Sequence, residues 1–195
     1  MARLAPVLHA GDLPLAELCA ARLDGELVGI DEGFASIDAG DSALNRATAA
    51  GRYWPHRLIA EQATAAWIWG ARPDPPARHQ LCASKNARAR PPVPARSSVR
   101  EVVIDTDEFA LVGTVRVTTP LRTVVDLARF AEPYDDPALE TLGRLADRYG
   151  VTLAQCRSAL DRRRNLPAKK LAWSRLLVAL TSGAEQRLPR AASPS

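Results

Sequence analysis

Few residues in this chain are placed to make or break bonds. The densest acidic cluster is Asp105-Thr106-Asp107-Glu108, where neighbouring carboxylates on a turn could hold a divalent cation. Carboxylates grouped on an exposed turn are more often only hydrated, and no metal site is expected there. His9, His56 and His79 stand far apart, outside any H-E-x-x-H pattern. The sequence has no phosphate-cradling glycine loop and no G-x-S-x-G nucleophile turn. Cys19, Cys82 and Cys156 are odd in number and lack C-x-x-C spacing, so they read as structural thiols. The expectation is a protein with no catalytic residues, no cofactor and no metal, and hence not an enzyme.

The chemistry that the sequence does offer is electrostatic. The formal net charge is only +4, but it is unevenly spread. Residues 1–60 carry 5 arginines against 8 acids, and residues 101–156 carry 5 basic residues against 10 acids. Residues 61–100 carry 7 basic residues against 2 acids, and residues 157–195 carry 9 against 2. Two basic segments alternating with acidic ones can build a polyanion-facing patch. Its candidate members are Arg88, Arg90, Arg96 and Arg100, with Arg162, Arg163, Arg164, Lys169 and Lys170. The plainer alternative is a solvated arm and a solvated tail.

The elements that must position these residues are legible in part. At 195 residues and 47% hydrophobic, the chain can hold one good core or two small ones. No apolar run approaches the roughly 20 residues needed to span a bilayer. The N-terminus lacks the basic start and apolar stretch of a signal peptide, so a cytoplasmic location is expected. Asp12 can cap a first helix, with Pro14 in its first turn and Gly25 as its stop. Residues 4–9, before it, have room for a single helical turn at most. Leu27 to Ile37 reads as two short strands around a turn. Ser42 to Ala50 reads as a short helix, and Leu58 to Trp69 as a strong, largely apolar one in which Trp67 and Trp69 pack the core. Residues 72–98 are rich in Pro and Arg, with a candidate strand at His79–Ala83 and an exposed basic loop at Lys85–Arg90. Further strands are expected at 99–104, 109–112 and 113–117, and helices at 120–131, 136–149, 152–164 and 167–181.

The clearest junction is Val117-Thr118-Thr119-Pro120-Leu121-Arg122-Thr123-Val124-Val125-Asp126-Leu127-Ala128-Arg129. The period-2 pattern before it is that of a strand. Thr119 is a good N-cap, and Pro120 fits the first helical position, where a missing N–H costs nothing. Arg122 and Asp126 are four apart and can pair. Thr119, Pro120, Arg122 and Asp126 are therefore assigned structural roles. This segment resembles the T-T-P-L-R-T-x-x-D-L-A-R run of actinobacterial AbiEi-family antitoxins of type IV toxin–antitoxin systems. The resemblance extends to Glu17-Leu18, to Leu23-Asp24-Gly25-Glu26-Leu27, to the glycine–aromatic pair Gly33-Phe34 and to Ala65-Ala66-Trp67-Ile68-Trp69-Gly70. It covers most of residues 12–181.

The resemblance implies an α+β fold: a winged-helix-like N-terminal remnant over residues 1–40, then an antitoxin-type domain over 41–183. That domain holds a small sheet at about 79–117 and a mostly helical C-terminal half at 120–181. Residues 184–195 read as a flexible tail. The implied function is an antitoxin and transcriptional regulator that neutralises a cognate nucleotidyltransferase-type toxin and binds its own promoter DNA. Self-association into a homodimer is left open. Only 11 residues precede Asp12, too few for the two earlier helices of a full winged helix, and the supposed recognition helix carries Glu17 and Asp24 against a single Arg22. Base-reading helices usually supply Arg, Lys, Asn or Gln. Those features favour an alternative, a protein-interaction module that does not bind DNA. A third reading is a degenerate relative of nuclease-bearing chains, which would need a further domain with an acidic metal site. The stripe Trp173, Leu176, Leu177 and Leu180 on the last helix is the candidate partner surface, with the protein's own core as its other destination.

Overall fold

A computed structural model describes residues 5–86 and 92–185, with the side chains of 182–185 not described. The chain is α+β and divides into two compact units, residues 1–118 and 119–195. The division falls at Thr118/Thr119, at the strand-to-helix junction. The tail expected over 184–195 lies outside the described residues, except for the backbone of the last helix to Glu185. Among the described residues, no helix is long and apolar enough to cross a membrane.

The first unit opens with strand β1 (Val7–Leu8), where at most a helical turn was expected. Both residues are buried, and they pair antiparallel with β3 (Gly33–Ser36), which also pairs with β2 (Leu27–Ile30). Val7 and Leu8 gain a sheet partner that no local pattern announces. Helix α1 (Leu15–Leu23) runs between β1 and β2. Its N-cap is Pro14, with no side-chain cap, and Asp12 instead accepts a bond from the His9 N–H at 2.9 Å. Helix α2 (Ala43–Gly51) is capped by Ser42, whose hydroxyl accepts from the Asn45 N–H.

The second sheet of this unit has five strands in the order β6-β5-β4-β8-β7. They are β4 (Ile59–Ala60), β5 (His79–Ser84), β6 (Ser97–Val102), β7 (Phe109–Val112) and β8 (Val115–Thr118). β4 lies parallel to β8 and antiparallel to β5, with Ile59 opposite Cys82 and Arg116. The single helix expected over 58–69 is thus a buried strand followed by α3 (Gln62–Ile68). A short apolar run cannot be assigned by periodicity alone. Here the break is made at Gln62, whose φ of 48° lies in the left-handed region. Trp67 is buried as expected, while Trp69 is half-buried and donates its indole N–H to the Thr118 carbonyl at 2.8 Å.

The second unit is helical: α4 (Pro120–Phe130), α5 (Asp136–Tyr149), α6 (Leu153–Asp161) and α7 (Lys169–Glu185). Local chemistry explains each start. The Thr119 hydroxyl accepts from the Arg122 N–H, and Pro120 occupies the first helical turn. Asp135 caps α5, and Gly150, at φ 63°, ends it in the left-handed conformation that favours glycine. Thr152 and Gln155 form a reciprocal capping box at α6. α4 packs against the other three helices around Val124, Leu142, Leu145, Leu160 and Leu176.

Candidate functional site

Buried polar groups are expensive unless paired, and each unit contains a cluster of them. In the first unit, Glu61 caps the entrance to α3 and is almost fully buried. Arg100, on β6, grips it bidentately, Nε on Oε1 at 2.5 Å and Nη2 on Oε2 at 2.7 Å. Beside it, His79 at the start of β5 joins two other elements. Its Nε2 lies 2.9 Å from Asp31 Oδ2, and its Nδ1 lies 3.4 Å from Thr64 Oγ1. The tautomer protonated at Nε2 satisfies both contacts: Asp31 accepts, and the Thr64 hydroxyl donates to Nδ1. Thr64 Oγ1 also accepts from the Gln80 N–H at 2.8 Å. Trp54 meets the imidazole edge-on, with centroids 5.0 Å apart. Arg96 reaches Glu32 at 3.1 Å and Asp31 at 3.5 Å.

Asp31, Gln62 and Arg96 hold φ between 48° and 50°, so three left-handed non-glycine residues border this one cluster. Each such residue costs on the order of 1–3 kcal/mol, and strain of this kind gathers where the surroundings dictate the geometry. The order Asp–His–Thr resembles a proton relay. The side chains of Asp31, His79 and Thr64 are all buried, however, with Thr64 at 0% exposure. A nucleophile needs a surface for its substrate, and this hydroxyl has none. The relay instead ties the β2–β3 turn, α3 and β5 together. Among the described residues, no group of three or more His, Cys, Asp or Glu is placed to hold a metal ion. The acidic cluster at 105–108 is used locally: Glu108 accepts from the Asp105 N–H in a capping box.

In the second unit, Asp126 is fully buried between two arginines. Arg122 Nε donates to its Oδ2 at 2.8 Å, and Arg129 Nη1 to its Oδ1 at 2.9 Å. Arg129 also donates to the Pro167 carbonyl at 3.0 Å and lies over the Phe130 ring. Arg175, from α7, donates to the Ala128 and Ala131 carbonyls at the C-terminus of α4. A guanidinium there satisfies carbonyls that the helix leaves unpaired and complements its dipole.

The residues expected to meet nucleic acid fall into three groups. Arg88 and Arg90 lie outside the described residues. Arg96 and Arg100 are engaged by carboxylates of the first unit. Arg162, Arg164 and Lys170 are exposed on the second unit, with Arg163 half-buried. Lys169 pairs with Asp161 at 2.6 Å, and its hydrogen bond, with charge from Lys169 and Arg157, holds that carboxyl below the usual range. The stripe on α7 is divided, with part of it in the protein's own core, the other destination open to it. Leu176 is fully buried and belongs to the core, and Trp173 is half-buried under the Arg157 guanidinium at 4.9 Å. Leu180 is half-buried and Leu177 is exposed, together with Leu171 and Val178. The sequence reading missed Asp31, Glu61 and His79. Asp31 and His79 are 48 residues apart, so no motif links them. The one available signal was Glu61-Gln62, a polar pair set inside an apolar run.

These features define an α+β protein whose two halves each contain a buried cluster of paired charged side chains. The chain belongs to the AbiEi antitoxin family: the family model described as the AbiEi antitoxin C-terminal domain matches residues 58–171. That match includes Glu61, His79 and Arg100 as well as Arg122, Asp126 and Arg129. Comparison with curated proteins finds no match. Among solved structures, the chain is similar to the RV2827C protein from Mycobacterium tuberculosis. The two are 18% identical with a TM-score of 0.47, over 92% of this chain and 72% of that one.

Proposed function

We propose that this chain is the antitoxin of a two-component pair: it neutralises a cognate nucleotidyltransferase-type toxin and binds the DNA of its own promoter, without catalysis of its own. The family match over residues 58–171 carries this reading. The internal use of Glu61, Asp31 and Asp126 supports it, since each buried carboxylate already faces a cation or an imidazole. The cytoplasm is the compartment this role requires. The run Arg162-Arg163-Arg164, exposed at Arg162 and Arg164, with Lys170 is the DNA-facing element in this reading.

Phosphate contacts release counterions, so affinity for a duplex of the upstream DNA should fall steeply with salt. Arg162→Ala/Arg163→Ala/Arg164→Ala should weaken binding and flatten the log–log salt slope by roughly 2–3. An unchanged slope removes this run from the interface. Co-expression with the toxin encoded alongside should restore growth, and failure to do so would defeat the antitoxin reading. A second reading, a protein-interaction module without DNA binding, is favoured by one observation: Glu17, Asp24 and Glu26 are all exposed on and beside α1. Wild-type chain that neutralises toxin but ignores the duplex at low salt would select it.

A further inference from the structure

Helix α1 is nine residues long, and Leu18 is its only buried residue. With about 3.6 residues per turn, Leu15, Ala16, Cys19, Ala20 and Leu23 fall on one continuous arc of about 140°, roughly opposite Leu18. All five are exposed, Leu15 by 56% and Leu23 by 88%. A surface helix normally turns its apolar stripe inward and its charges outward. Here the outward arc contains no polar residue. Ala16 and Ala20, four apart, leave room for a second backbone to approach, with Leu15, Cys19 and Leu23 beside them.

Charge decides among the occupants such a face could take. Exposed Glu17 and Asp24 lie along one margin of the arc and Glu26 just beyond its C-terminal end, while Asp12, beyond the other end, is paired with Arg52 at 2.8 Å. The one cation of the helix, Arg22, is exposed on the other margin, next to Leu15, with its guanidinium carbon 3.7 Å from where a Cβ on Gly29 would stand, so the acidic margin is the Glu17/Asp24 side. DNA phosphates or anionic lipid headgroups placed on this face would meet carboxylates. A second copy of the chain would bring the same acids into opposition. A helix with an apolar seam and lysine or arginine margins meets neither penalty and gains at both the seam and the rim. We infer that the exposed arc of α1 is a docking site for a basic amphipathic helix of a partner protein. The inference does not rest on the toxin and DNA reading, whose DNA-facing run, Arg162-Arg163-Arg164 with Lys170, has no residue on α1.

The probe is a synthetic peptide with a leucine seam and lysine margins, fluorescein-labelled and titrated into the full-length chain. Its controls are the same composition in scrambled order and a glutamate-margined counterpart. Binding should be selective for the ordered lysine peptide. Leu15→Lys/Leu23→Lys and Glu17→Lys/Asp24→Lys should each weaken it by at least about tenfold, the range of an interface anchor. Both pairs are exposed, and unchanged melting curves would show that the variants remain folded. Cys19 supplies a second readout, since Cys82 and Cys156 are buried. Its maleimide labelling rate, located by mass spectrometry, should fall when the ordered peptide is bound. Equal binding of the scrambled peptide would reduce the effect to bulk attraction and overturn the proposal. So would undiminished affinity in the leucine variant or unprotected Cys19. A dimer in sedimentation that Leu23→Lys dissociates would overturn it in favour of self-association.

Discussion

Replacing Asp126 by Ala removes the hub of the buried cluster in the second unit. Arg122 and Arg129, each 7% exposed, then lose the carboxylate they share. Breaking a buried pair by deleting one partner costs about 3–5 kcal/mol, most of it from the charge left behind. For a chain of this length, each kcal/mol lowers Tm by about 2–4 °C, so the expected loss is about 6–20 °C. Arg122→Ala should cost less, because Asp126 keeps Arg129 at 2.9 Å. The internal control is Glu140→Ala on α5, whose partner Arg144 is also exposed. A surface helix pair is worth about 0.3–0.5 kcal/mol, or roughly 1–2 °C. Calorimetry on the three variants should therefore rank them Asp126→Ala, Arg122→Ala, Glu140→Ala in decreasing effect. If Asp126→Ala melts within about 2 °C of the parent, the buried charges are being hydrated or relaxed, and the reasoning is wrong.

Two other outcomes follow from burial. One thiol, Cys19, should react with a disulfide reagent at pH 8 in the native protein; Cys82 and Cys156 should react only in denaturant. Burial pushes the Cys156 thiol up to about 11, so it stays protonated as well as covered at that pH. Two or more thiols reacting at one rate would contradict this packing. Deleting residues 166–195 should abolish cooperative melting of the second unit, because Ala172, Leu176 and Ala179 leave the core and Arg175 leaves the end of α4. A truncated chain with an unaltered helical melt would make α7 an appendage.

The parts of this protein legible in its sequence are those governed by neighbours within a turn of helix. Thr119 and Pro120 begin α4, Asp135 and Gly150 bound α5, and Thr152 with Gln155 opens α6, because each cap is a bond between groups three or four residues apart. The same range made Arg122 and Asp126 visible as a pair. It did not reveal that the pair is buried or that Arg129 completes it, since burial is conferred by the other helices of the unit.

What only the tertiary structure decided lies at longer range. Ile59 and Ala60 are extended because β5 and β8 flank them, with Cα partners at 82 and 116 on Ile59. Without those partners, a short apolar run reads equally well as helix. Arg100 looks like a phosphate ligand in a basic segment until the fold brings Glu61 to it from 39 residues away. α1 shows the converse. Its leucines recur at helical spacing, but Leu18 alone of them is buried, and Leu15 and Leu23 are left to solvent. Caps and periodicity are set by local bonds that any fold must satisfy, so the sequence by itself determines them. Which charges are neutralised and which apolar faces are covered depends on chain segments meeting across space.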